Sequence, residues 1–120
     1  MENKKLSSME HAVTQLGETE PPFSHPGFPS GPGQFKCICC SKELFSSSEK
    51  YESGSGCPSF SNPITKDAVA TTVDRSHGMV RTEVHCHNCG AHLGHVFEDG
   101  PAPSGLRYCI NGVALQFKQT

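Results

Sequence analysis

Near its C-terminus the chain reads Gly105-Leu106-Arg107-Tyr108-Cys109-Ile110-Asn111. The alternation of a strand puts Leu106, Tyr108 and Ile110 on one side and Arg107, Cys109 and Asn111 on the other. A cysteine kept only for packing belongs with the apolar set, because free Cys behaves as a small buried hydrophobe. Cys109 sits instead between a guanidinium and an amide, and a neighbouring positive charge favours the thiolate, the nucleophilic form. Upstream, His92-Leu93-Gly94-His95 supplies two imidazoles, the side chains best suited to donating a proton near neutral pH. Their offset of three points them to opposite faces of a regular strand. Convergence therefore calls for a bend, which Gly94 permits. A nucleophilic sulfur served by a nearby acid is the chemistry these two motifs support together.

A second set of cysteines has a different character. Cys37-x-x-Cys40 and Cys86-x-x-Cys89 each present two sulfurs from one tight turn, and two such turns complete a tetrahedral site. Four thiolates with no open position favour zinc in a structural role, one ion per chain. The pairs lie further apart than in a simple zinc ribbon, so the ion is expected to tie together two distant hairpins. Cys39 adjoins the first pair, but the two-residue spacing selects Cys37 and Cys40. Cys39, Cys57 and Cys109 remain outside the metal set.

Composition sets the frame that must position these groups. The 120 residues are 34% hydrophobic, with 12 Gly, 9 Pro, 7 Cys and no Trp, which fits one turn-rich domain with a modest core in need of a staple. The net charge of −2 and the lack of a basic block give no reason to expect nucleic acid or an anionic membrane surface. No run spans a bilayer and the first thirty residues lack the order of a secretory signal, so retention in the reducing cytoplasm is expected; a monomer is expected as well. An odd cysteine count also speaks against a fully paired extracellular framework.

Met9, Ala12, Val13 and Leu16 follow helical spacing, Ser7 with Glu10 makes a capping-box pattern, and Gly17 is placed to stop the helix. The Pro- and Gly-rich arm to residue 33 forbids regular structure, and its Phe23 and Phe28 suggest that it lies on the domain. From residue 34 onward the pattern is β, with strands expected at 35–38, 68–73, 80–85, 92–97, 108–110 and 113–117. The segment 74–78 is suited to closing a hairpin with Gly78 at positive φ, and Asn111-Gly112 to a tight turn or bulge.

The residues quoted so far, with Arg81-Thr-Glu-Val84, Ala91 to Phe97, Asp99-Gly-Pro101, Gly17 to Phe23, Leu44-Phe-Ser46, Lys50-Tyr51, Ser53-Gly54 and Pro58-Ser-Phe60, resemble the methionine-R-sulfoxide reductases (MsrB) over nearly the whole chain. The resemblance implies a mainly β fold of two antiparallel sheets, of β-tent type, with a short helical N-terminal segment and a four-cysteine zinc site. It implies reduction of methionine-R-sulfoxide, free or in proteins, as a repair of oxidative damage. Cys109 matches the nucleophile; His92, His95, Arg107 and Asn111 match residues that shape the site. Thioredoxin or another thiol reductant would restore the enzyme. One departure stands out: Gly56-Cys57-Pro58 occupies the place of the family's Gly-Trp-Pro, and Ser55 that of a common resolving cysteine. Cys57 is thus either a resolving thiol for Cys109 or a loss of the aromatic wall against the substrate methyl, with Cys39 or an external thiol recycling the enzyme. A non-catalytic, zinc-stabilised β-tent binding module is the alternative reading of the same cysteines.

Overall fold

The computed structural model describes residues 6–18, 27–28, 31–51, 53–54, 58–75 and 78–119. Among the described residues one α-helix, α1 (Ser8–Leu16), precedes nine strands: β1 (Gly33–Cys37), β2 (Glu43–Ser46), β3 (Lys50–Tyr51), β4 (Ser59–Phe60), β5 (Val69–Asp74), β6 (Arg81–Cys86), β7 (His92–Phe97), β8 (Arg107–Ile110) and β9 (Leu115–Gln119). They form two antiparallel sheets, one of three strands in the order β2-β1-β9 and one of six in the order β3-β4-β8-β7-β6-β5. The expected mainly β fold with two sheets and a helical N-terminal segment is what the chain adopts.

The helix begins where the capping box indicates. Ser7 N–H donates to Glu10 Oε1 (2.9 Å) and Glu10 N–H to Ser7 Oγ (3.2 Å), satisfying two otherwise orphaned donors. Gly17 ends it in the left-handed conformation at φ 74°. The buried stripe differs from the periodic reading: Val13 and Thr14 are buried, whereas Leu16 is 64% exposed. Helical spacing identifies a stripe, but the short segment of sheet and turn beneath the helix covers only its middle.

Between the sheets lies a series of aromatic rings. Phe28 packs edge-on to Phe35 at 5.0 Å, Phe35 to Phe60 at 5.1 Å, and Phe60 stacks on Phe45 at 4.3 Å. Phe35 and Phe45 belong to the small sheet and Phe60 to the large one, so the rings join the two. Each ring buried in full stabilises the fold by about 1.5–3 kcal/mol relative to exposure. Phe28 fastens the Pro- and Gly-rich arm to this core; Phe23 lies outside the described residues.

The 74–78 segment joins β5 to β6, which pair from Asp74↔Arg81 to Val69↔Cys86, and Gly78 has φ 70°. After β8 the chain departs from expectation. Asn111-Gly112 is not a hairpin turn: Asn111 leads into a one-turn 3-10 helix, Gly112–Ala114, and β9 continues in the other sheet. Residues 113–114, expected in the last strand, lie in that turn, so Asn111 stands at the crossover between sheets.

Candidate active site and metal centre

The two C-x-x-C segments fold into the same turn. Cys37 N–H donates to Lys42 O and Ser41 N–H to Cys37 O, both at 2.8 Å. In parallel, Cys86 N–H donates to Ala91 O and Gly90 N–H to Cys86 O, also at 2.8 Å. The residue four after the first cysteine is left-handed in each, Ser41 at φ 66° and Gly90 at φ 80°. One turn ends β1 and the other ends β6, one in each sheet.

All four sulfurs lie within 4.8 Å of one another, with Cys37–Cys89 and Cys40–Cys86 at 3.6 Å. A tetrahedron with metal–sulfur bonds of about 2.3 Å has edges of about 3.8 Å. The donor set therefore fits a metal ion. Crowding supplies the electrostatic reason. Cys86, with the Cys37 sulfur beside it and backbone N–H groups of its turn around it, is lowered to about 5. The neighbouring Cys86 sulfur, with burial, pushes the Cys37 thiol far up, and burial raises Cys89 to about 12. One thiolate forms at its neighbours' expense, a conflict that a divalent cation removes.

On the large sheet, pairing places Ser59, Cys109, His95, Glu83 and Thr72 in one cross-strand row. Residues opposite one another in an antiparallel ladder share a face. Arg107 and Phe97 pair in the next same-face row, as do Asp74 and Arg81 at the end of β5. The alternation expected of the Cys109 strand holds on the opposite face, where Ile110 is fully buried and Tyr108 packs against Phe45 at 5.8 Å.

The bend that brings the two histidines together is not at Gly94. Val84 pairs with Gly94 and His85 with His92, which leaves Leu93 as an extra residue in β7. In regular register His92 would oppose Cys86 and face away from Cys109; the bulge turns it to the His95 side. The imidazole centroids of His92 and His95 are 5.7 Å apart. Gly94 serves another purpose, because a Cβ there would collide with the carbonyl oxygen of Cys109.

Asn111 holds the bulge. Its backbone N–H and its side-chain Nδ2 each donate to Leu93 O at 2.9 Å, and the residue is buried. Replacing Asn111 by Ala removes one of these bonds and leaves the bulge free to relax. We expect a loss of about 1–3 kcal/mol in urea unfolding, accompanied by a changed chemical environment of both the His92 and His95 rings in NMR spectra; unchanged ring signals would contradict the pinning role.

Carboxylates not foreseen from the sequence stand behind the imidazoles. His95 Nε2 is 3.1 Å from Asp74 Oδ2, and Arg81 Nη2 donates to the same oxygen at 3.3 Å. Glu83 Oε2 lies 3.4 Å from His92 Nδ1, and Glu83 Oε1 2.7 Å from His85 Nε2. Only cross-strand register reveals these partners, although the Glu83-x-His85 pattern with Asp74 before the hairpin was there to be found. Arg107 is bound by both oxygens of Asp99, at 2.8 and 3.1 Å, and its guanidinium carbon sits 4.4 Å over the Phe97 ring. Its charge is thus shared with Asp99, whose carboxyl it holds below the usual carboxylate range.

Burial pushes His92 below the ordinary histidine range. The folded chain therefore prefers the neutral ring. Above about pH 6.5 both folded and unfolded chains are neutral here and no stability is lost. As pH falls below that value, the unfolded chain takes up a proton that the folded one resists, and stability declines. We expect the urea midpoint to fall between pH 7.5 and 5.5 and the His92→Gln variant to show a shallower decline; equal slopes would remove His92 as a cause.

Cys109 is half-buried and disulfide-bonded, whereas Cys37, Cys39, Cys40, Cys86 and Cys89 are free. Cys57 lies outside the described residues, but its chain neighbour Pro58 accepts a hydrogen bond from Ile110 N–H (2.9 Å), and Ser59 pairs with Cys109.

The SelR domain family model matches residues 6–119. Peptide methionine sulfoxide reductase MsrB of Thioalkalivibrio sulfidiphilus is 53% identical over 116 residues, 96% of this chain and 85% of that protein. The MsrB proteins of Saccharophagus degradans and Acinetobacter baylyi are also 53% identical over 96% of this chain, covering 87% and 84% of their own lengths. Among solved structures, the Mis18 "Yippee-like" domain superposes with a TM-score of 0.59 at 22% identity, covering 75% of this chain and 98% of that one, a likeness of fold alone.

Proposed function

The chain belongs to the MsrB family of peptide-methionine (R)-S-oxide reductases, and on that premise we propose that Cys109 is the sulfur that attacks the sulfoxide. The observation that carries this reading is the cross-strand row in which His95 stands opposite Cys109 with Asp74 behind it. The protein reduces methionine-R-sulfoxide to methionine. Methionine sulfoxide has an electrophilic sulfur and a basic oxygen, so a thiolate must attack the first while an acid protonates the second.

With Nε2 held by Asp74, His95 uses Nδ1 for the proton that the sulfoxide oxygen receives. His92, kept neutral by burial, lines the same face. The S–O bond of the substrate breaks, its sulfur gains two electrons and methionine departs. The Cys109 sulfur loses those two electrons and retains the oxygen as a sulfenic acid. A second thiol then condenses with it, releasing water and forming a disulfide. Arg107, clamped by Asp99, and Asn111, through the bulge, shape the surrounding wall.

We propose Cys57 as the second thiol, in the place of the family's Trp. Its chain neighbours run beside Cys109, and the alternative, Cys39, is buried and bonded to Gln15 Nε2 at 3.4 Å. Thiol–disulfide exchange with thioredoxin or a similar dithiol completes the cycle. Zinc is the proposed occupant of the four-cysteine site, on the strength of its all-thiolate closed donor set. When bound it supplies charge neutralisation and a joint between the sheets. A reducing cytoplasm suits both the free thiols and the recycling step, and no helix of the described residues is long and apolar enough to cross a membrane. The non-catalytic reading is not favoured, since it gives Cys109 and the two imidazoles no joint role.

With dithiothreitol, the protein is expected to consume the R diastereomer of methionine sulfoxide and spare the S. After one turnover without reductant, peptide mass spectrometry should find Cys57 joined to Cys109. A persistent sulfenic acid, or a Cys39 linkage, would exclude Cys57 as the resolving thiol.

A further inference from the structure

We propose that Glu83, His85 and His92 form a second metal site, for a divalent first-row transition ion bound by nitrogen and oxygen, on the lip of the reductase site. One carboxylate oxygen and two imidazole nitrogens, all within 4.8 Å of one another, converge there. Glu83 Oε1 is 2.7 Å from His85 Nε2 and Glu83 Oε2 is 3.4 Å from His92 Nδ1. Ligands of one ion at bond lengths of about 2.0–2.2 Å stand about 3 Å apart, so these spacings bracket what such an ion needs.

A second observation comes from His92 itself. It is 3% exposed, yet neither ring nitrogen has a hydrogen-bond partner among the described residues; the approach to Glu83 lacks hydrogen-bond geometry. A buried imidazole without a partner is costly, and a metal ion at Nδ1 would supply one. The set opens outward, because the side chains of His85 and Glu83 are 24% and 23% exposed. Thr72 Oγ1, at 3.2 Å from His85 Nε2 and 3.4 Å from Glu83 Oε1, braces the two outer ligands.

Another triad, Asp74, Glu83 and His95, shares Glu83. Arg81 lies on Asp74 at 3.3 Å and His95 already bonds to it, so a fixed positive charge opposes a cation there. Two imidazoles and one carboxylate, without thiolate, suit borderline ions such as Zn2+ or Ni2+, unlike the all-sulfur site across the sheet. An ion held here takes the Nδ1 lone pair of His92 and stands beside His95, next to the sulfur that performs the reduction. Metal binding therefore opposes turnover.

The test uses the full chain with its four-cysteine site filled by one equivalent of zinc and Cys109 in its disulfide form, which removes it as a competing thiolate. Equilibrium dialysis against Zn2+ alone, with metal analysis, should give a second bound equivalent. That equivalent should weaken by about a hundredfold or more in His85→Ala and in Glu83→Gln, while Asp74→Asn retains it. A single equivalent in the parent protein, or a second one that persists in both His85→Ala and Glu83→Gln, overturns the site. Loss in Asp74→Asn alone moves the ion to the other triad and overturns the assignment. A second arm rests on the reductase reading. Single-turnover reduction by protein prereduced and then freed of added thiol should slow at least about tenfold with the extra zinc, and in His85→Ala the same zinc should leave the variant's own rate unchanged. Binding without slowing overturns the opposition to turnover; a parent protein inactive before zinc is added speaks against the reductase reading and leaves the dialysis result standing.

Discussion

Substituting Cys109 by Ser is expected to lower the single-turnover rate of methionine-R-sulfoxide reduction by about 10⁴-fold or more, with fold and metal content intact. A serine hydroxyl near neutral pH presents almost no anion and forms no sulfenic acid, so the covalent step has no substitute. The position is otherwise tolerant of the change: Cys109 is half-buried in a strand paired on both sides, and an oxygen of smaller radius leaves those ladders in place. Chromatographic measurement of methionine formed by the prereduced variant, beside its thermal melt and metal content, separates chemistry from folding. A well-folded Cys109→Ser protein that matched the parent rate would place the reduction elsewhere.

Stripping the four-cysteine metal, or replacing Cys86 by Ser, should lower the melting temperature by more than about 15 °C, the equivalent of about 4 kcal/mol for a chain of this size. Structural zinc in small domains contributes apparent binding energies of about 10–16 kcal/mol, against total stabilities of about 5–15 kcal/mol. Here the two turns end strands of different sheets, so metal loss leaves the aromatic core to join the sheets. It also leaves crowded sulfurs whose ionisation is mutually opposed. Circular dichroism melts with and without a chelator would decide the matter; coincident melts would make the cysteines incidental.

The parts of this fold that were legible in the sequence are those governed by near neighbours along the chain. The capping box at Ser7 and Glu10 is a four-residue device, and the His92–Phe97 strand begins and ends where its residues indicate. The two C-x-x-C turns each carry their own bite, so the cysteine cluster follows once the chain brings the turns together. Lys50–Tyr51 and Ser59–Phe60 were missed because two-residue strands show no alternation; Ser59–Phe60 exists through its pairing with the Cys109 strand. Glu43–Ser46 escaped for a related reason, its two buried residues being consecutive.

The site shows the same division. Cys109, His92 and His95 stand out by residue type, but Asp74 and Glu83 become partners of the imidazoles only through register across three strands. The extra residue at Leu93 leaves no mark on composition, and Gly94 drew attention to itself for a different physical reason. Asn111 was selected by resemblance; that it pins Leu93 from the crossover between sheets is a property of the folded chain.

Gly94 sets how closely the Cys109 strand and the histidine strand approach, while offering no side-chain atom of its own. A methyl group at that point would act as a wedge, prising the sulfur-bearing strand from the strand that carries the imidazoles. On the mechanism proposed, the spacing between the attacking sulfur and its acid is therefore set by a missing side chain, and Gly94→Ala is expected to slow reduction through geometry alone.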